Sequence, residues 1–378
     1  MPQGFSNARI VLEDAVVHGA VLCDAEGRIA DVVDEKTVLP ATEDWDGDYL
    51  LPGFVDVHTD NLERQVQPRN TVRWPSRSAF LAHDAQCTAA GITTVADALC
   101  VGDTGSEAKR VRTLLDAVID HERLLDEAAL RVDHVLHLRC ELSAPDMRGL
   151  FEILSGNRHV RMVSLMDHTP GTDQYADVDK FRYNRLREGH APAEVERLIA
   201  EAQARAAEYS GPNRAWLCGC LRQMPVRAAS HDDRSVEEID RNVQDGIAIA
   251  EFPVTLEAAR AAAGHRMEIV AGAPNVVRGG SHSGNVAVRE LVEAGCVDVL
   301  ASDYVPSALA EAAFALVGNG LASLPQAVRM ISLHPARMLG FADRGAIRAG
   351  WQADLVRVRI RAGHPVIVSV WKAGVRVA

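Results

Sequence analysis

The sequence has no apolar run long enough to cross a bilayer, and no basic-then-apolar segment at its start suggests export. It also lacks a basic excess. Its 40 Lys and Arg face 52 Asp and Glu, a formal charge of −12. Nucleic-acid and anionic-membrane binding both need a basic face, so neither partner is expected. An anionic small substrate stays open, because a metal and a few arginines can reverse the potential locally. Cysteine supplies no framework either. Cys23, Cys87, Cys100, Cys140, Cys218, Cys220 and Cys296 are odd in number and irregular in spacing, and Cys218-Gly219-Cys220 is not a CxxC pair. Reduced thiols and a cytoplasmic enzyme are the expectation. No repeat of solenoid period and no low-complexity segment is evident.

What is present is alternation. A chain of 378 residues exceeds one small core, and a barrel of about 250 residues leaves a remainder for a second unit. Residues 8–50 alternate Val, Ile and Leu with polar residues, and Glu26-Gly27 suits a tight turn. The far end, “AIRAGWQADLVRVRI” and “PVIVSVWKAGVRVA”, reads alike. Both termini are therefore expected to share a small discontinuous β-sandwich, 1–50 with 345–378, around a second domain at 51–344. In that middle part eight strand-like segments start near 53, 91, 132, 160, 226, 246, 267 and 297, and most are separated by plausible helices. One of these, 107–130, places Val111, Leu114, Leu115, Val118 and Ile119 on one face. The strand segments read as apolar runs, as central barrel strands buried on both faces should. The pattern is an α/β class (β/α)₈ TIM-like barrel. Residues 171–215 form the longest connection. “APAEVERLIAEAQARAAEYSGP” reads as a helix ended by Gly211-Pro212, and the part before it as a loop that is either a lid or a surface excursion.

In such a barrel the active site lies at the C-terminal strand ends. These ends carry His58 and Asp60, Arg139 and Glu141, Asp167 and His168, His231 with Asp232 and Asp233, Glu251, and Asp303. After the seventh strand come Arg278, Ser281, His282 and Asn285. Unpaired charges gathered in one mouth repel one another and are costly to desolvate. A bound cation removes the conflict, and mixed imidazole and carboxylate donors suit Zn, Mn or Fe better than Mg or Ca. His58 and Asp60, two apart on a strand, point to the same side and can chelate one ion. Glu141 could bridge two ions.

“LPGFVDVHTD” (51–60), with “GAIRAGWQADLV” and “VWKAGVRV” far downstream, resembles the amidohydrolase superfamily over nearly the whole chain. Within it, “HTDNLE” with “PR” shortly after, “LMDHTPG”, “SHDD”, “PNVVRGGSHSGN” and “ASDYVPSAL” are similar to the α-D-ribose 1-methylphosphonate 5-triphosphate diphosphatase branch of phosphonate breakdown by the carbon–phosphorus lyase pathway. The resemblance implies one or two divalent ions. It implies that His58, Asp60 and Asp303 hold the first, that His168 and His231 complete a second site, and that Glu141 bridges. Asp303 would also accept a proton from the attacking water. Two departures stand out: Asp60 replaces the second His of the usual His-x-His, and the sixth strand offers Glu251 instead of His.

The implied reaction is attack of a metal-bound hydroxide on the α-phosphorus of a ribose 5-triphosphate, releasing pyrophosphate. The implied partner is that small molecule, and the resemblance allows a homodimer. Arg69, Arg139 and Arg278 are candidate phosphate clamps or ion-pair partners of nearby carboxylates. Ser281 and His282 are candidate substrate contacts; His282 could equally cap the following helical region. Gly279, Gly280 and Gly284 suit either a phosphate nest or a tight turn. His83, His121, His134, His159 and His265 read as structural or exposed and Asp97 as a turn cap; His137, of the same strand parity as Glu141, could lie deeper in the barrel. Two rival functions are a hydrolase of C–N bonds on the same scaffold and a catalytically silent assembly subunit.

Overall fold

Eight apolar runs become eight parallel strands in the computed structural model, which describes residues 4–40, 42–69, 72–105, 109–172, 177–281 and 284–378. The strands are Phe54–Thr59, Ile92–Val101, Asp133–Glu141, Val160–Met166, Arg227–His231, Ile249–Glu251, Glu268–Gly272 and Val299–Ala301, each paired to the next in chain order. Beyond the eighth strand the ladder closes on the first. Asp303 N–H donates to the His58 carbonyl at 3.0 Å, and Asp60 N–H donates to the Asp303 carbonyl at 2.7 Å. The barrel is therefore sealed by the backbone of the very residues that the sequence marks as ligands.

Alternation along the strands sorts their side chains between two cores. Val55, Val57, Ala96, Val135, Met162, Ile249, Val270 and Val299 fill the barrel interior. Val95, Leu99, Leu136 and Leu138 face the surrounding helices. His137, Arg139 and Glu141 share the parity of Val135 and so face inward, whereas Asp97 and His134 face out. On the first strand the register slips between Asp56 and Thr59, three residues opposing two of its neighbour. Such irregularities re-aim side chains at barrel rims. The helices after the fifth and sixth strands start on hydroxyl caps. Ser235 accepts from the Glu238 N–H and Thr255 from the Ala258 N–H, satisfying donors that have no partner within the helix.

Both termini build one further β layer. Strands Gly4–Val11, Val16–Cys23, Ile29–Val33, Glu43–Asp44 and Tyr49–Pro52 join Leu355–Arg361, His364–Lys372 and Val375–Arg376 in a single hydrogen-bonded sheet. The junction is the antiparallel pairing of Tyr49–Pro52 with Leu355–Arg361. Most pairs are antiparallel, but Gly4–Val11 runs parallel to two of its neighbours. The sheet curls around its own core, so that Ile29 near one edge and Trp371 near the other pack with Phe5 and Trp45.

The 171–215 connection differs from the sequence reading. A helix, Val178–Arg187, occupies the part expected to be a loop, and the next helix, Pro192–Leu221, runs through Gly211-Pro212 without stopping. Tertiary contacts hold it there. Asn213 Nδ2 donates to the Leu142 and Ala144 carbonyls, and Leu217, Cys218 and Leu221 are buried beyond the proline. Among the described residues no helix is long and apolar enough to cross a membrane, and all seven cysteines are free.

Candidate metal centre

Three histidines reach the barrel mouth, and each has one ring nitrogen held by a carboxylate. His58 Nδ1 lies 2.8 Å from Glu251 Oε1, His168 Nδ1 lies 2.8 Å from Glu141 Oε2, and His231 Nδ1 lies 2.9 Å from Asp232 Oδ2. A carboxylate at Nδ1 fixes the tautomer, orients the ring and leaves Nε2 as the donor atom for a metal. His231 Nε2 is buried and has no hydrogen-bond partner among the described residues. A buried polar atom is rarely left so, and a cation would satisfy it.

Two further carboxylates meet His58 from the other side. His58, Asp60 and Asp303 offer donor atoms within 4.8 Å of one another, and so do His168, His231 and Asp232. His58 Nε2 is 3.5 Å from Asp60 Oδ1. Burial lowers the pKa of His58, but Glu251 and Asp60 more than offset this and raise it to about 10. Two carboxylates thus drive a buried imidazole to hold a proton where a divalent cation would serve the same charges. The donor set fits a divalent metal.

Asp60 is also held by Arg139, whose Nη1 donates to Oδ1 at 2.6 Å. Although burial works against it, Arg139 and His58 keep the Asp60 carboxyl well below the usual carboxylate range. Asp303 shifts the other way. Burial pushes its carboxyl up, and Asp60 adds to this against the pull of His58 and Arg139. One carboxylate is thus held ionised while its neighbour is made more basic. Asp303 has φ +56°, and Asp232 and Phe252, at the ends of two other strands, have φ +58° and +56°. Left-handed backbone at non-glycine positions costs energy and clusters at functional sites.

Glu141 sits differently from the bridging position expected for it. It is fully buried, with Oε1 accepting from the Ser143 hydroxyl and the His168 N–H and Oε2 on the His168 ring. Both oxygens are engaged, so its geometry is that of a support for His168. Glu251 and Asp232 stand at strand ends that the sequence reading noted, but it gave neither a role. Glu251 is fully buried and also accepts from the Ser164 hydroxyl at 2.7 Å. Its signal was a lone carboxylate in the apolar “GIAIAEF”. His137 lies beneath, on the Val57 carbonyl and the Ser164 hydroxyl, with burial pressing its pKa down to about 3.

The expected substrate contacts divide. Arg139, Arg278 and Ser281 line a cavity of about 250 Å³ over this histidine–carboxylate cluster. A second cavity of about 900 Å³ adjoins it and shares Asp60, Arg139 and His168. Arg69 is exposed and lines neither cavity; it pairs locally with Val72. His282 lies outside the described residues. Gly279, with φ +77°, is the C-cap of Ala273–Arg278, which accounts for that glycine as a helix stop.

A second histidine–carboxylate group lies on the outer face of the strands. His83, Asp97 and His134 are buried, with His83 Nε2 2.7 Å and His134 Nδ1 2.9 Å from the two oxygens of Asp97. Asp97 is a bridge between strand and helix, not the turn cap expected, and the two histidines, which the sequence reading took as structural or exposed, are buried.

The chain matches the model of the amidohydrolase family over residues 49–377. It belongs to the amidohydrolase family. Among known proteins it is 41% identical over 375 residues to the alpha-D-ribose 1-methylphosphonate 5-triphosphate diphosphatase of Escherichia coli K12, covering 98% of this chain and 99% of that one. Solved structures share the fold at low identity. An L-hydantoinase from Arthrobacter aurescens aligns with TM-score 0.59 and 15% identity, covering 100% of this chain and 96% of that one. The N-acetylglucosamine-6-phosphate deacetylase from Pasteurella multocida aligns with TM-score 0.63 and 12% identity over the whole of both chains. Barrel and terminal sheet are thus the architecture of this amidohydrolase and of its structural neighbours.

Proposed function

We propose that this amidohydrolase hydrolyses α-D-ribose 1-methylphosphonate 5-triphosphate to the 5-phosphate and pyrophosphate in phosphonate catabolism. The observation that carries the reading is the full-length 41% identity to a diphosphatase of that substrate. His58, Asp60 and Asp303 would hold one divalent ion, and His168 and His231 a second. Glu251, Glu141 and Asp232 would orient the three imidazoles. One or two ions of Zn, Mn or Fe suit these donors. A bound divalent ion supplies positive charge to the phosphoryl oxygens and makes water more acidic.

The chain's own groups do the rest. Asp303, with its raised pKa, accepts a proton from the attacking water as general base. Arg139, tied to Asp60 through one Nη, has further donors for a phosphoryl oxygen. Arg278 and Ser281 contact the substrate from the rim of the smaller cavity. Residues 51–344 carry the site, and 1–50 with 345–378 support it. The enzyme works in the cytoplasm, where its seven thiols stay reduced.

Hydrolysis of the ribose 5-triphosphate in ¹⁸O-labelled water tests this. Label in the sugar monophosphate is expected. Label in pyrophosphate would place the attack at the β-phosphorus. Turnover of a cyclic amide without turnover of the triphosphate would replace this reading with that of a C–N hydrolase.

A further inference from the structure

Three barrel strands run out into a left-handed residue other than glycine: Asp232 after the fifth, Phe252 after the sixth and Asp303 after the eighth, with φ of +58°, +56° and +56°. For the two aspartates the site supplies the reason, since both carboxylates converge on its histidines. Phe252 brings no donor. A bulky side chain at positive φ is an outlier that persists only where its surroundings dictate it. Here the strand ladder dictates it. The Phe252 N–H donates to the Val270 carbonyl at 2.9 Å, and the Glu251 carbonyl accepts from the Asp232 N–H at 2.9 Å.

The backbone turn decides where the ring goes. Along the sixth strand Ile249 faces the barrel interior, Ala250 the helices and Glu251 the interior again. Strict alternation would send residue 252 outward, towards the helices. The left-handed turn breaks the alternation. The Phe252 ring packs against the interior core instead and lines the smaller cavity. There it meets a histidine of each candidate metal position. Its centroid is 5.0 Å from that of His58, with an interplanar angle of 64°, and 5.6 Å from that of His231, at 88°. Both are edge contacts of the kind aromatic rings prefer. The two imidazoles are themselves 6.0 Å apart.

We propose that Phe252 is a positioning residue of the metal centre, a wedge that fixes the His58 and His231 rings relative to each other. The inference rests on the reading of the mouth as a two-ion site and adds how its two halves are held together. Glu251 and Asp232 each hold one ring by its Nδ1. A hydrogen bond at one atom leaves a ring free to pivot about that bond. Packing removes the remaining freedom. His58 has the His137 ring against it at 5.2 Å and 83°, and His231 has His168 at 6.0 Å and 75°. Phe252 is the ring that His58 and His231 share. In the sequence it is one more apolar residue of “GIAIAEFPV”, and nothing local announces the turn that brings it inside.

The test is calorimetric titration of the metal-free, full-length protein with Mn²⁺, beside the thermal midpoint of the metal-free form. The wild type should take up two ions. Phe252→Ala should weaken Mn²⁺ binding about tenfold. Phe252→Leu, which keeps bulk between the two imidazoles, should recover part of the loss. Phe252→Gly separates positioning from stability. Glycine adopts positive φ freely, so this variant should melt at or above Phe252→Ala, while its Mn²⁺ affinity should be no better. Affinity that follows the melting order instead would mark a general folding defect and overturn the proposal. So would unchanged Mn²⁺ binding in Phe252→Ala with a raised KM for the ribose 5-triphosphate, which would make the ring a wall of the substrate site. Two ions bound alike by the wild type and all three variants would leave the two-ion reading standing and remove Phe252 from it. Uptake of one ion or none by the wild type would remove the two-ion reading itself.

Discussion

Two histidine–carboxylate clusters lie on opposite faces of the barrel wall, and both bring donor atoms within 4.8 Å of one another. On the outer face the valences are spent. Asp97 takes one imidazole on each oxygen, and His134 Nε2 reaches Asp84 at 3.4 Å. Asn61 contacts His83 Nδ1 at 3.0 Å, and Arg131 donates to Asp84 at 2.8 Å. In the mouth each ring meets a carboxylate at Nδ1, His231 Nε2 is left without a hydrogen-bond partner among the described residues, and Asp60, 3.5 Å from His58 Nε2, converges with Asp303 on His58. Residue types and spacing do not separate a metal site from a structural network. The unspent donors do.

The contrast can be broken by substitutions on either face. The largest effect is expected from Asp303→Asn, which removes the base and keeps an oxygen donor. Turnover should fall on the order of a thousandfold with metal still bound, read by steady-state kinetics beside elemental analysis. Next is Asp97→Asn. It leaves two buried imidazoles without their carboxylate and should cost about 3–5 kcal/mol in denaturant unfolding, with unchanged metal stoichiometry. A smaller effect follows from Glu141→Gln, since Glu141 supports His168. Metal affinity should drop roughly 10–100-fold, with turnover largely restored at saturating metal. Restored affinity without restored turnover would instead place Glu141 in contact with the reacting groups.

The smallest effect sharpens the outer cluster through pH. Burial disfavours the charged His134, but Asp97 and Asp84 prevail and raise its pKa from 6.5 to about 9. A raised folded-state value stabilises the fold fully below about pH 6.5, and that share is lost as pH climbs through about 9. Asp97, held below the ordinary carboxylate range, contributes in the opposite sense, and its share is lost only in acid. The thermal midpoint should therefore fall between pH 7 and about 9.5 in the wild type, and fall less in His134→Gln. Equal slopes would remove His134 from the account.

Much of this contrast was legible in the sequence, and the rest was not for identifiable reasons. Eight apolar runs, most of them ending in polar residues, were enough to place His58, Asp60, His168, His231 and Asp303 in one mouth. The inward parity of Glu141 was readable as well, but its depth was not. Whether a carboxylate meets a metal or a ring nitrogen depends on strand stagger, which the chain does not spell out locally. Glu251 reaches His58 across 193 residues, through the barrel's closure. Arg69 fails for the converse reason: closeness in sequence to His58 does not bring it over the mouth. Pro212 should stop a helix by local rules, yet Asn213 and the buried turn beyond it hold the helix against the barrel.

The most direct measurement is the metal content of full-length protein purified without chelator and supplied with Mn or Zn, in two double variants. His168→Ala with His231→Ala should lose bound metal relative to wild type. His83→Ala with His134→Ala, assayed on the folded fraction, should keep the wild-type stoichiometry while losing stability. Metal retained in full by the first and lost by the second would contradict the assignment of the metal centre to the barrel mouth.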